Sequence, residues 1–242
     1  MSVTTATATA AAATSTATEI LARDTDWDLL GPRMWDAFGE TLWMVCVTMV
    51  IGGLVGLVLG VLLYVSRSSG VLPSGPLHTL LNLAVNFVRP IPFIILVTAV
   101  GPLTKLVVGK TIGTGAAIFV MTIAASFAVA RLVEQNLMAI DPGVIEAARA
   151  MGAGPWRIIR TVIVPEALGP LILGYTFAFI AVVDMSAMAG YIGGGGLGDF
   201  AIVYGYRAFD WNVTLVTTLV IILIVQAAQL LGNFLAKKVM RR

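Results

Sequence analysis

Charge is what this 242-residue chain has least of. Only 12% of its residues are Asp, Glu, Lys or Arg, about half the ~25% usual in a soluble globular protein. The mean hydropathy is +0.95. The scarcity is concentrated: residues 41–66 and 211–236 each hold 26 residues without one charged side chain. About 20 apolar residues suffice to cross a bilayer core of ~30 Å, and a helix in water has no reason to be apolar all round for so long. Lipid is the solvent these segments require. Cysteine is almost absent too. Cys46 stands alone, which excludes an internal disulfide and leaves a small packing residue. The single histidine, His78, has no Cys, Asp or Glu at ligand spacing and reads as a loop residue. A net charge of +2 gives no ground for nucleic-acid binding.

What is present is a series of apolar segments separated by breakers. Residues 1–18 are almost wholly Ala and Thr, with neither a basic start nor a Leu-rich centre. That composition makes a poor signal peptide and predicts a disordered tail. Residues 19–40 are mixed and charged, with Trp27 and Trp35 suited to an interfacial segment. Five spans follow, over about 41–65, 80–103, 114–137, 167–189 and 211–236. In the first, Gly52, Gly56 and Gly60 fall four apart, a spacing that lets another helix approach closely. The second is interrupted by Arg89-Pro90-Ile91-Pro92, where two missing backbone donors force a kink or a fresh start. A short loop is predicted at 105–110. In the third span Arg131 and Glu134 stand three apart, close enough to pair.

An odd number of spans puts the two ends of the chain on opposite sides. The basic tail Lys237, Lys238, Arg241, Arg242 belongs in the cytoplasm by the positive-inside rule. The 67 loop and the 139–164 loop are then cytoplasmic, while the N-terminus and the 190–210 segment lie outside. Eight basic residues fall inside against five outside, a modest bias in the right direction.

The 139–164 segment carries charges throughout and cannot span. Asp141 is a good helix N-cap and Pro142 a good first-turn residue. Ile145, Ala148 and Met151 or Gly152 recur at helical spacing, so one face is apolar and small, and Gly152 stops the helix. A second short helix is predicted from near Pro155, carrying Arg157 and Arg160. Two readings fit a short amphipathic helix here: its small apolar face docks into a groove on a partner, or it merely tidies a surface loop.

The residues Glu146-Ala147-Ala148, then Gly152, then Val162-Ile163-Val164-Pro165 resemble the EAA loop of ABC importer permeases, whose usual ending is Ile-x-Leu-Pro. Phe87 to Leu96, Ser186 to Gly190, and Gly193 to Asp199 with Tyr204-Gly-Tyr206 are similar to the methionine importer permeases. The likeness covers about residues 35–240. It implies an all-α membrane protein with the type I ABC importer permease fold, five transmembrane helices and cytoplasmic coupling helices. Residues 1–40 would be tail and interfacial segment, and 41–242 a single permease domain. It also implies a second permease copy, two ATP-binding subunits that hold ATP and Mg, and an extracytoplasmic substrate-binding lipoprotein. Glu146, Ala147, Ala148, Gly152 and Pro165 then couple the chain to the ATPase, and the cargo is methionine or a related amino acid.

Other features carry weaker signals. Gly193, Gly194, Gly195 and Gly196 lack the Lys-Ser/Thr that a phosphate loop needs. They read as a flexible loop facing the binding protein, and the resemblance places them near an external gate. Asp184 falls within the fourth span, near its middle, and an intramembrane acid is read by default as functional. Its possible partners are the ammonium of a bound amino acid or a basic residue such as Arg89 or Arg131, and the alternative to a functional role is a structural ion pair. Met185, Ser186 and Met188 are candidates beside it for the substrate pathway, or are packing residues. A stand-alone secondary transporter or channel would predict several intramembrane charges and often an internal repeat, neither of which is evident. An intramembrane hydrolase would need a paired nucleophile and base within the spans, which Asp184 alone does not provide.

Overall fold

The structure, a computed structural model, describes residues 25–240, and no strand occurs among them. The Ala/Thr-rich segment over 1–18 and the final Arg241 and Arg242 lie outside the described residues. Helix α1 runs over Trp27–Ser66. It therefore starts well before residue 41. The Asp26 carboxylate caps it, accepting from the Leu29 N–H at 3.1 Å, and Ala37 is buried against Leu197, Phe200 and Val213. The charges between 28 and 40 mark a solvated end of this helix rather than its absence.

The second apolar segment divides as the prolines require. Helix α2 covers Gly75–Val88 and α3 covers Phe93–Ala99, with a bend of 105° between them. The loop expected at 105–110 is instead largely helical: α4 spans Gly101–Val108 and ends at Gly109, whose φ of +83° glycine adopts without strain. Helix α5 is Thr114–Met138, and α6 is the short Pro142–Ala150. The second short helix predicted near Pro155 is not separate. Pro155–Tyr191 is one continuous helix, α7. Within it residues Ile159–Ile163 form a π turn, in which the Val164 N–H reaches back to the Ile159 carbonyl. The extra residue widens the helix just ahead of Pro165, which has no N–H to give. Helix α8, Gly196–Phe200, leads through a second π turn, Ala201–Tyr206, to α9, Trp211–Met240.

Four of these helices, α1, α5, α7 and α9, are long and apolar enough to cross a membrane, and the bent α2–α3 pair makes a fifth crossing. Topology requires the fifth. Helix α1 ends beside α6, since Tyr64 and Val65 share a core with Ile145 and Ala148. Helix α5 begins at the opposite end, where the Gly113 N–H donates to the Gly193 carbonyl at 3.1 Å. The intervening chain must cross to connect them. The α6 end is the basic end below, and the other is the glycine end.

Close packing of α1 on α5 runs along the glycine stripe. A methyl group at Gly56 would stand 2.6 Å from Val129 Cβ, and one at Gly60 2.5 Å from the Ala130 carbonyl oxygen. Neither fits without moving backbone. Arg131 ties α2 to the same helix. Its guanidinium pairs with Glu134 and donates to Asn82, at 2.8 Å, and to Asn86 on α2. Apolar side chains of α2 and α9, such as Leu83, Phe87, Leu219, Leu223 and Leu230, are exposed on the outside of the bundle. Cys46 is exposed on α1 rather than packed inside. His78 sits at the start of α2, its Nδ1 3.2 Å from the Leu63 carbonyl oxygen.

Candidate functional site

Helix α6 is built by local rules. The Asp141 carboxylate accepts from the Gly143 N–H at 2.8 Å, and Pro142 takes the first turn, where its missing N–H costs nothing. At the other end Gly152 adopts φ +78°. Its N–H donates to the Arg149 carbonyl at 2.9 Å and that of Ala153 to the Ala148 carbonyl at 3.1 Å. These two bonds are the Schellman arrangement, which closes a helix through a left-handed residue.

The structure corrects which face of α6 is available. Ile145 and Ala148 do not point outward. They are buried in the core formed by Tyr64, Val65, Ile158, Ile159 and Ile163. The small apolar face thus seats α6 on its own bundle, and an Arg149 N–H donates to the Gly70 carbonyl at 3.0 Å to hold the loop after α1. The opposite face is left open: Val144, Ala147 and Met151 along α6, with Trp156 at the start of α7. Met151 is 82% exposed and Trp156 77%. Both are large apolar side chains left uncovered at a charged end outside the apolar spans. Glu146 and Pro165 are exposed as well, Gly152 forms the turn beside Met151, and Ala148 lies beneath them.

At the glycine end the structure overturns the picture of a flexible loop. Gly194 and Gly196 are buried. The Gly196 N–H donates to the Glu40 carboxylate and the Leu197 N–H to the Thr41 hydroxyl, each at 2.8 Å. A methyl group at Gly198 would lie 2.4 Å from the Ala187 carbonyl oxygen. Glycine is used here for close approach and for positive φ at Gly193, Gly195 and Gly196. Asp199, just beyond, has its carboxyl pushed above the usual range by burial and by Glu40, while Arg207 pulls it back. Glu40 and Thr41 were not picked out from the sequence. The signal was there: an acid immediately ahead of a charge-free run must face water or a partner.

Along α7 the four pathway candidates separate. Asp184 and Met188 are exposed, on a side that no other part of the described chain covers. Met185 is half-buried against the central core. Ser186 is 3% exposed and its hydroxyl donates to the Val183 carbonyl at 2.7 Å, so it faces the bundle and lines no open surface. Asp184 stands seven residues from Tyr191, about 10 Å of helix, nearer the glycine end than the middle of its span. Arg131 does not neutralise it, being engaged with Glu134, Asn82 and Asn86. Asp184 is thus an acid left open on an otherwise apolar side of α7.

The arrangement defines a class: a polytopic helical membrane protein with an exposed amphipathic helix at one end and a pinned glycine hairpin, residues 190–198, at the other. Residues 52–242 match the family of binding-protein-dependent transport system inner membrane components, and the chain belongs to that family. It is the permease subunit of an ATP-driven importer and not an enzyme. Among its relatives is the probable D-methionine transport system permease protein MetI of Vibrio cholerae, 43% identical over 215 residues that cover 89% of this chain and 94% of that protein. Another is the methionine import system permease protein MetP of Bacillus subtilis, 37% identical, covering 87% of this chain and 95% of that one. A solved inward-facing form of the MetNI methionine ABC transporter contains a chain 37% identical, with a TM-score of 0.85, covering 89% of this chain and 99% of that one. A further solved amino acid ABC transporter, 19% identical with a TM-score of 0.74, shares the fold.

Proposed function

We propose that the chain forms the translocation path of a methionine importer. Two copies pack about a two-fold axis, two ATPase subunits that bind ATP and Mg dock at the basic end, and a binding lipoprotein delivers substrate at the glycine end. The basic end is cytoplasmic, in keeping with Arg149, Arg157, Arg160, Lys237 and Lys238 gathered there. The N-terminus is then outside and the C-terminus inside. The relatives named above, all methionine systems by description, support the cargo.

The observation that carries the coupling role is the open Ala147–Met151–Trp156 face. It presents apolar anchors outward from a helix whose other face is locked into the bundle. Because Ile158, Ile159 and Ile163 pack on Ile145 and Ala148, α6 and the start of α7 form one body. A push on α6 from the ATPase is therefore delivered to the helix that carries Asp184 and Met188. Alternating access follows when that body rocks against α1.

The test is ATP-dependent uptake of radiolabelled methionine by the complex reconstituted with its ATPase and binding protein. Met151→Asp with Trp156→Ala is expected to abolish uptake and substrate-stimulated ATP hydrolysis while the chain still inserts. Uptake at the wild-type rate by this variant overturns the docking role. Failure of the unaltered complex to take up methionine, with other amino acids transported, overturns the cargo.

A further inference from the structure

We infer that Asp184 is a specificity-determining residue of the path, its carboxylate receiving the protonated amine of the travelling amino acid. The inference rests on the reading of the open side of α7 as the wall of that path.

Positions 173, 177, 180, 184, 188 and 191 fall within about 80° of one another on a helix. Leu173, Phe177, Asp184, Met188 and Tyr191 are all exposed, and Ile180 is half-exposed. The side is apolar apart from one acid and a terminal tyrosine. No hydrogen bond or ion pair engages Asp184 within the described residues. If the same side of a second copy's α7 packs across it, that helix brings no remedy. From Val164 to Tyr191 there is no Lys, Arg or His, so a two-fold arrangement of this helix places acid toward acid. A cationic group passing along this side supplies the counter-charge that α7 lacks.

An amino acid fits the pattern. Its ammonium pairs with the carboxylate in a charge-assisted hydrogen bond. Met188 lies one turn further along, about 6 Å of helix rise, with Phe177 on the other side of the acid. Met is a polarisable and adaptable surface, which suits an apolar side chain sliding past. The carboxylate thus distinguishes substrates that carry an amine from those that do not, after the binding protein has released its load.

Two measurements separate this inference from the reading beneath it. In a Cys46→Ala background, Asp184→Cys in the reconstituted complex is expected to react with a water-soluble charged thiol reagent. Absence of labelling sinks the path reading and the inference with it. The second measurement is competition against radiolabelled methionine for the purified complex without its binding protein, using methionine and its amine-free analogue, a methylthio-substituted butanoic acid. The wild-type complex is expected to prefer the amine by about ten- to a hundredfold, the range of one charge-assisted hydrogen bond. Asp184→Asn should lose the preference and Asp184→Glu should restore most of it. Labelling at position 184 together with equal binding of the two ligands by the wild-type complex overturns the amine role and leaves the path intact. A fall in basal hydrolysis in Asp184→Asn that Asp184→Glu does not restore makes the acid structural and also overturns it.

Discussion

At the scale of single residues, Gly152 shows how much a loop can depend on one backbone angle. With φ at +78°, any side chain there is strained by about 1–2 kcal/mol. Nothing lies within 4 Å of the place a Cβ would occupy, so the objection to a side chain is conformational inside the chain and steric only toward a partner. Gly152→Ala is accordingly expected to lower stability modestly and to leave assembly with the ATPase largely intact. Gly152→Asp adds bulk and charge beside Met151, and is expected to remove substrate-stimulated ATP hydrolysis while membrane insertion persists. Equal stimulation in Gly152→Asp and wild type would show that no partner comes close to this turn. The residues that set this geometry were legible in the sequence, because Asp141, Pro142 and Gly152 act on their immediate neighbours. The outward face was not. Periodicity identifies Ile145 and Ala148 as the apolar side of α6, but cannot say whether a partner or the chain's own core covers them. Ser186 fails for the same reason: two positions away from an exposed acid, it turns into the bundle.

At the scale of elements, helix pairing here is governed by what fits between helices, since lipid offers no hydrophobic drive to bring them together. The Gly52, Gly56, Gly60 stripe was readable as a close-packing face, and the structure gives it α5 as a partner. Two methyl insertions give a graded test. At Gly53 a Cβ would meet only Tyr175 at 3.1 Å, the edge of a ring that can shift slightly. At Gly56 it would meet both Val129 Cβ and the Ser126 carbonyl within 2.8 Å. Gly56→Ala is expected to destabilise by about 1–3 kcal/mol, the range for overpacking, and Gly53→Ala by less. Thermal unfolding of the detergent-solubilised complex measures the order, and the reverse order would contradict this packing. The element boundaries were less legible. Charges near residue 30 conceal that α1 has already begun, and Pro165 conceals that α7 continues through it, because a π turn can absorb a proline that a regular helix cannot.

At the scale of the whole molecule, the two ends are connected by only a few rigid members. Helix α1 touches α6 through Tyr64 and Val65 at the basic end, and holds the glycine hairpin through Glu40 and Thr41 at the other. Helix α7 begins beside α6 and ends in that same hairpin. Between the ends the Tyr175 hydroxyl of α7 donates to the Gly53 carbonyl of α1 at 2.7 Å. Motion of α6 and α7 together against α1 must therefore pull on the Glu40–Gly196 and Thr41–Leu197 bonds, which tie α8 to α1. These two acceptors act as side-chain caps for the first turn of α8, and each is worth about 1 kcal/mol. Glu40→Gln with Thr41→Ala is expected to speed hydrogen exchange at the amides of Gly196 and Leu197 by about tenfold or more, the factor that a loss of 1.4 kcal/mol or more produces. Exchange elsewhere in α1 and α5 should be unaffected, because their packing lies along the glycine stripe and not at this end. In the reconstituted complex the same variant should hydrolyse ATP faster without substrate, since less work is needed to open the hairpin. Unchanged protection at Gly196 and Leu197 would mean that the hairpin is held by its own packing on Ala187 and Ala189, and the link between the two ends would then run through α7 alone.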